Sequence, residues 1–322
     1  MSFIQVDNLV KEFKINKSRK GILSNLFNHE YTVKRAVDDI SFSIDQGELV
    51  GYIGSNGAGK STTIKMLTGI LTPTSGTVHV DGVVPYQNRK YNSMHMGVVF
   101  GQRSQLYWDL PMSDTFELYK KMYKIEESVY KRNVDFYMEL LDMKEFFYRP
   151  IRLLSLGQKM RANIAIALLH NPNVLYLDEP TIGLDVLAKS KIRSFIREIN
   201  KERNITVMLT THDMRDIEQI CSRIIMIDQG KKLYDGTLDS FVSEYSLGQI
   251  IEAEFADPGA VFENPHVKLL QDEGIKKSYT FKKDSISNVE VIEGILNCGK
   301  VTDLKLKEPD IEEIVKEYYL RH

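Results

Sequence analysis

Gly54-Ser55-Asn56-Gly57-Ala58-Gly59-Lys60-Ser61, followed by Thr62, combines three glycines with a lysine and hydroxyls between an apolar run at 49–53 and a helix-like stretch at 62–67. That is the strand, loop, helix setting of a phosphate loop, the Walker A pattern. Glycine at 54, 57 and 59 permits positive φ, so successive backbone N–H groups can converge on one anion at the positive end of the following helix. Lys60 then reaches the β and γ phosphates, and the Ser61 hydroxyl is a ligand for Mg²⁺. An ordinary glycine-rich turn is the plain alternative, and the flanking strand and helix weigh against it. A second cluster, Asn173-Val174-Leu175-Tyr176-Leu177-Asp178-Glu179-Pro180, reads as a buried strand with two carboxylates at its C-terminal tip, where open α/β sheets bind ligands. As a Walker B strand it gives Asp178 to Mg²⁺ and Glu179 to the water that attacks the γ phosphate. Alone, Asp-Glu-Pro would be two solvated carboxylates capping a helix.

Leu154-Ser155-Leu156-Gly157-Gln158 opens a helix with apolar positions at Met160, Ile164, Ala167 and Leu168, and Ser155 with Gln158 forms a capping box. By itself the pentapeptide is a well-capped helix. Placed shortly before the Walker B carboxylates, it makes residues 1–240 resemble the ATP-binding-cassette (ABC) ATPases, whose signature is LSGGQ. The chain departs at the third position, Leu156. The resemblance implies that Ser155, Gly157 and Gln158 of one protomer cover the ATP held by the other. It makes Gly183-Leu184-Asp185 the loop through which protomers communicate, with Asp185 among the nucleotide-binding residues. It makes His212, in Thr210-Thr211-His212-Asp213, the switch at the γ phosphate. It implies Gln102 as the glutamine touching Mg²⁺ and the attacking water, with Gln105 as its rival. Adenine stacks on either Phe13 or Tyr31, which an insertion at 15–35 separates. That insertion carries Lys17, Arg19, Lys20, Lys34 and Arg35 with Leu23, Leu26 and Phe27, and reads as a surface loop with the means to touch a membrane or a partner.

The elements that must position these residues are short apolar runs between helix-like stretches, as in a mostly parallel sheet buried on both faces. They fall at 48–53, 97–100, 174–177, 206–209 and 224–227, with antiparallel strands at 4–6, 40–44 and 76–80, the last ending on the Asp81-Gly82 turn. Residues 107–150 alternate Leu, Met, Phe and Tyr with Lys and Glu at helical spacing, and resemble the family's helical subdomain, about 105–168. Most of those side chains read as core. Tyr107, Trp108 and Leu110 follow the Gln102 segment, where the resemblance implies a groove for a transporter's coupling helix. From about 246 the pattern becomes strands at 249–255, 278–282 and 301–307 with helices at 289–296 and 311–319, a small α+β appendage. Its ending, Leu306 to Ile314, resembles ATPases of ABC-2 type exporters, including drug-resistance and sodium-efflux members.

The chain has 322 residues, enough for two domains, with 42 Lys and Arg against 44 Asp and Glu. The resulting charge of −2 advertises neither nucleic acid nor an anionic membrane. Cys221 and Cys298 fit no metal or disulfide framework and read as buried apolar residues in a reducing compartment. The start lacks the features of a secretion signal, and no apolar run has the ~18 residues that span a bilayer.

The predicted fold is α/β: a P-loop NTPase of the ABC cassette type over 1–245, with an antiparallel β subdomain and a helical subdomain, then an α+β accessory domain over 246–322. The resemblance implies an ATPase that binds Mg²⁺ and ATP at a head-to-tail interface with a second copy of itself or a homologous ATPase. It implies polytopic permease subunits of ABC-2 type as partners, holding the chain at the inner face of the cell membrane. Two rivals share the chemistry or the fold. A soluble DNA-repair or translation ATPase would need long coiled coils or a second cassette, and a nucleotide-gated module without hydrolysis is encouraged only by Leu156.

Overall fold

Three apolar runs, at 49–54, 174–178 and 206–210, are buried on both faces and form strands that carry sequence motifs. The computed structural model describes residues 2–16, 31–101, 104–245, 248–282, 284–307 and 310–321. Its contacts divide the chain into two units, one ending at Thr237 and one beginning at Leu238. In the first unit the elements are β1 (Ile4–Asn16), β2 (Tyr31–Ile44), β3 (Leu49–Gly54), α1 (Lys60–Leu67), β4 (Ser75–Val80), α2 (Arg89–His95), β5 (Met96–Phe100) and α3 (Met112–Tyr123). They continue as α4 (Glu127–Leu140), α5 (Leu156–Leu168), β6 (Val174–Asp178), α6 (Val186–Arg203), β7 (Thr206–Thr210), α7 (Met214–Ile220), β8 (Arg223–Asp228) and β9 (Lys231–Thr237).

Six strands form one sheet in the order β5-β6-β7-β3-β8-β9, parallel except for β9. The C-terminal tips of β5, β6, β7 and β3 therefore lie along one edge, the place where such sheets bind ligands. A second, antiparallel sheet has the order β2-β1-β4. Ile64, Met66 and Leu67 of α1 are buried in one core with Ile4 and Val6 of β1, Val50 and Tyr52 of β3, and Tyr176 of β6. That core fixes the helix that follows the phosphate loop.

The strands predicted at 4–6 and 40–44 are only the inner parts of a long hairpin. β1 and β2 stay paired out to Asn16 opposite Tyr31, and register shifts between Val6 and Glu12 break the alternation that would have marked the strand in the sequence. The flanks of the predicted insertion, 15–16 and 31–35, are thus strand, while Lys17, Arg19, Lys20, Leu23, Leu26 and Phe27 lie outside the described residues.

The second unit contains α8 (Leu238–Tyr245), β10 (Gln249–Phe255), β11 (Val267–Glu273), β12 (Lys276–Phe281), α9 (Asn288–Cys298), β13 (Val301–Lys307) and α10 (Ile311–Arg321). Helix α8, which the sequence reading left with the first unit, packs here: Phe241 and Tyr245 meet Tyr318 with ring centroids 5.4 and 4.6 Å apart. The antiparallel sheet β11-β12-β10-β13 buries Ile251, Phe255, Tyr279 and Phe281 against Val291 and Ile295 of α9. Cys221 is buried as expected, but Cys298 is exposed at the last turn of α9, where its thiol donates to the Gly294 carbonyl. Among the described residues no helix is long and apolar enough to cross a membrane.

Candidate functional site: a phosphate-binding cleft

Gly57 and Gly59 take φ of 85° and 111°, the left-handed region that turns the loop from β3 into α1. Gly54 serves a different need from the one its motif suggests. A side chain there would begin 2.5 Å from the Ile227 carbonyl oxygen on β8, so glycine is required by close strand packing. Ala58 is buried, and the loop is tied laterally by a Ser55 hydroxyl bond to Asp228 Oδ1 at 2.5 Å. Lys60 folds back over the loop, its Nζ donating to the carbonyls of Gly54 at 2.7 Å and Ser55 at 3.1 Å. Burial lowers the Lys60 pKa from its usual value, against the pull of Glu179 and Asp178.

Three strand tips meet beside this loop. Ser61 Oγ, in the first turn of α1, donates to Asp178 Oδ2 at 3.0 Å, and Thr210 Oγ1 at the end of β7 donates to Asp178 Oδ1 at 2.6 Å. Glu179 follows with φ of 57°, uncommon outside glycine, and its Oε2 lies 2.7 Å from His212 Nδ1. A cleft of about 900 Å³ joins them, lined by Asn56, Gly57, Gly59, Lys60, Ser61, Thr62, Asp178, Glu179 and His212. Phe13 lines it too, with Ile15 and Lys34. Tyr31 does not, for a reason of register. Phe13 pairs with Lys34, so those two share a face, and Tyr31, three residues from Lys34 along β2, points to the other.

Ser155, Gly157, Gln158 and Asp185 stand apart from the cleft. Ser155 caps α5 in the predicted capping box: its hydroxyl accepts the Gln158 N–H at 3.2 Å, and Gln158 Oε1 accepts the Ser155 N–H at 2.9 Å. Leu156 leaves this cap intact and is half-exposed, one methyl lying 3.2 Å from where a side chain on Gly183 would start. Asp185 caps α6 by accepting the Ala188 N–H at 2.8 Å. None of Ser155, Gly157, Gln158 or Asp185 lines the cleft of its own chain. Gln102 lies outside the described residues. Its rival Gln105 is engaged elsewhere, bonding the Val98 carbonyl and accepting from the Tyr119 hydroxyl. Thr210 had been read only as part of the switch motif. Its hydroxyl bond to Asp178 crosses from β7 to β6, a relation no local pattern marks.

The arrangement sets the glycine loop and Lys60 in one cleft with a carboxylate held by an imidazole. The family model for ABC transporter matches residues 37–182. The ABC transporter ATP-binding protein NatA of Bacillus subtilis is 31% identical over 217 residues, covering 67% of this chain and 88% of NatA. The chain belongs to the ABC transporter ATP-binding proteins. This cassette is accordingly an ATP-binding protein and an ATPase. The bacitracin transport ATP-binding protein BcrA of Bacillus licheniformis is 29% identical over 298 residues, covering 90% of this chain and 93% of BcrA. Among solved structures, the dimeric MJ0796, a bacterial ABC transporter cassette, superposes with a TM-score of 0.60 at 26% identity, covering 73% of this chain and 98% of that one.

Proposed function

We propose that this ATPase powers export through separate membrane-spanning subunits of ABC-2 type, two copies closing head to tail over two ATP molecules. The observation that carries the reading is the meeting of phosphate loop, Asp178, Glu179 and His212 at one cleft, with the Ser155 end of α5 outside it. A cleft that grips phosphate but lacks a covering helix end fits a second copy that supplies Ser155 and Gly157. The dimeric MJ0796 cassette supports the two-copy arrangement, and the transport named for BcrA supports a permease partner that holds the chain at the inner membrane face.

In this reading the loop N–H groups and Lys60 bind the β and γ phosphates, and Phe13 stacks on adenine. The oxygens of Ser61 and Asp178, already within 3.0 Å of one another, suit a hard divalent cation, and Gln102 would join them. Mg²⁺ bound there would neutralise charge developing on the phosphates. Glu179 accepts a hydrogen bond from the attacking water and orients it toward the γ phosphorus, while His212 keeps the carboxylate aimed. Once γ phosphate is gone the contacts favouring closure are lost, and the dimer reopens.

Glu179→Gln keeps the shape of the side chain and removes its basicity. The full-length variant should bind ATP and form a nucleotide-dependent dimer on size exclusion, with steady-state hydrolysis lowered about 10²-fold or more. Wild-type phosphate release from that variant would overturn the assignment.

A further inference from the structure

An ion cluster with a buried centre at Arg193 and Asp216 joins α6 to α7, and the hydrolysis scheme above makes no use of it. Lys189 and Arg193 stand one and two turns into α6, downstream of its cap Asp185. Lys189 Nζ lies 2.6 Å from Asp213 Oδ2, and Arg193 Nη2 lies 3.3 Å from the same oxygen. Arg193 Nε reaches Asp216 Oδ1 at 2.5 Å. Asp216 is wholly buried, and its other oxygen accepts from Thr211 Oγ1 at 3.0 Å and from the Thr181 hydroxyl. Thr211 Oγ1 in turn accepts the Asp213 N–H at 3.0 Å.

Three segments therefore end on one carboxylate. Thr181 is two residues past Glu179, Thr211 immediately precedes His212, and Arg193 belongs to the helix that Asp185 opens. A carboxylate without water has to keep its cation and its donors, and low local polarity makes each of those bonds stiff. The segments cannot slide past one another without leaving a buried charge unpaired. The 2.7 Å contact between His212 and Glu179 spans two of these segments, so its alignment is inherited from the cluster.

We propose that Arg193 and Asp216 are positioning residues that hold His212 against Glu179. The inference rests on the roles given to those two residues in hydrolysis. Replacing the pair by Arg193→Met with Asp216→Leu removes both charges without stranding either. Arg193→Lys keeps the cluster ionic but loses the fork that bridges Asp213 and Asp216, so the test survives if the apolar pair fails to fold.

Both full-length variants should bind ATP with the wild-type Kd, measured by equilibrium fluorescence, while kcat falls about 10²-fold. In a His212→Ala background the same changes should cause no further loss, because they act through the side chain already removed. Unchanged kcat in the variants, or a loss that multiplies with that of His212→Ala, would overturn the proposal. Wild-type hydrolysis by Glu179→Gln and by His212→Ala would instead overturn the site assignment beneath it, and the two failures are distinct.

Discussion

Gly101 passes so close to Glu179 that a side chain at 101 would begin 2.4 Å from the Glu179 carbonyl oxygen and 2.9 Å from that of Asp178. Its N–H also donates to the Asp178 carbonyl at 2.7 Å. Strands β5 and β6 are paired at Phe100 and Asp178, and the chain leaving β6 turns at once through the left-handed conformation of Glu179, directly over Gly101. A non-glycine residue in that conformation is held there by its surroundings at a cost of order 1–3 kcal/mol. Gly101 is part of those surroundings, and it lets the carboxylate side chain turn toward His212.

Gly101→Ala should therefore disturb the Walker B turn at the edge of the cleft. Overpacking against backbone costs about 1–3 kcal/mol, and the displaced Glu179 should lower kcat more than it alters KM for ATP. Thermal denaturation and steady-state hydrolysis read the two effects separately. A variant with wild-type values of both would show that the backbone at 101 yields freely.

Phe13 and Tyr31, indistinguishable as adenine partners in the sequence, are separated by strand register. Phe13→Ala should raise KM for ATP by roughly 5-fold to 150-fold, the range of a lost base-stacking contact worth about 1–3 kcal/mol. Tyr31→Ala, on the opposite face of the hairpin, should leave KM within about 2-fold of wild type, since a surface substitution is worth within about 0.5 kcal/mol. Reversal of that order would mean that nucleotide enters from the other face.

What the sequence reveals here is local, and what it conceals is relational. The phosphate loop, the Walker B strand and the Ser155–Gln158 cap are each fixed by neighbours within a few residues, and five of the six strands of the main sheet follow from short apolar runs, whereas the partly exposed edge strand β9 carries no such run and was missed. The need for glycine at 101 is hidden because its close neighbour is the Glu179 carbonyl, 78 residues along the chain and just past the end of β6. The outer half of the β1–β2 hairpin was missed because register shifts break its alternation. Strand β11 was missed because it is exposed along almost its whole length and carries no apolar face to signal it. The Asp216 cluster was invisible for the same reason as the Thr210 bond: buried charges are recognised by their partners, and those lie on other elements.

Trp108 offers a test of the proposed permease partner. Its side chain is 61% exposed beside exposed Tyr107 and Leu110, and Lys159 of α5 sits 4.6 Å from the ring centroid. Its carbonyl accepts the Arg152 N–H just ahead of the signature helix, so load on the tryptophan would reach that helix. Trp108→Ala should leave ATP binding and the basal hydrolysis of the isolated chain intact, while abolishing transport-coupled turnover in reconstituted vesicles. Full coupled activity in that variant would remove this face from the docking surface.

His170 makes stability depend on pH through a residue remote from catalysis. Its ring stacks on Tyr123 at 4.0 Å, its Nε2 donates to the Met96 carbonyl at 3.0 Å, and Nδ1 is buried without a partner among the described residues. Burial pushes the imidazole down to about 4 from its ordinary 6.5, outweighing the Met96 carbonyl, which favours the charged form. The unfolded chain takes up this proton below about pH 6.5 and the folded chain only near pH 4, so protons favour unfolding across that window. Stability should be full above pH 6.5, fall as pH drops toward 4, and lose no more from this group below it, a total of about 3 kcal/mol at most. His170→Phe keeps the stack, gives up one hydrogen bond worth about 1 kcal/mol, and should flatten that part of the profile in urea titrations run at successive pH values. An unchanged slope in the variant would assign the acid sensitivity to other groups.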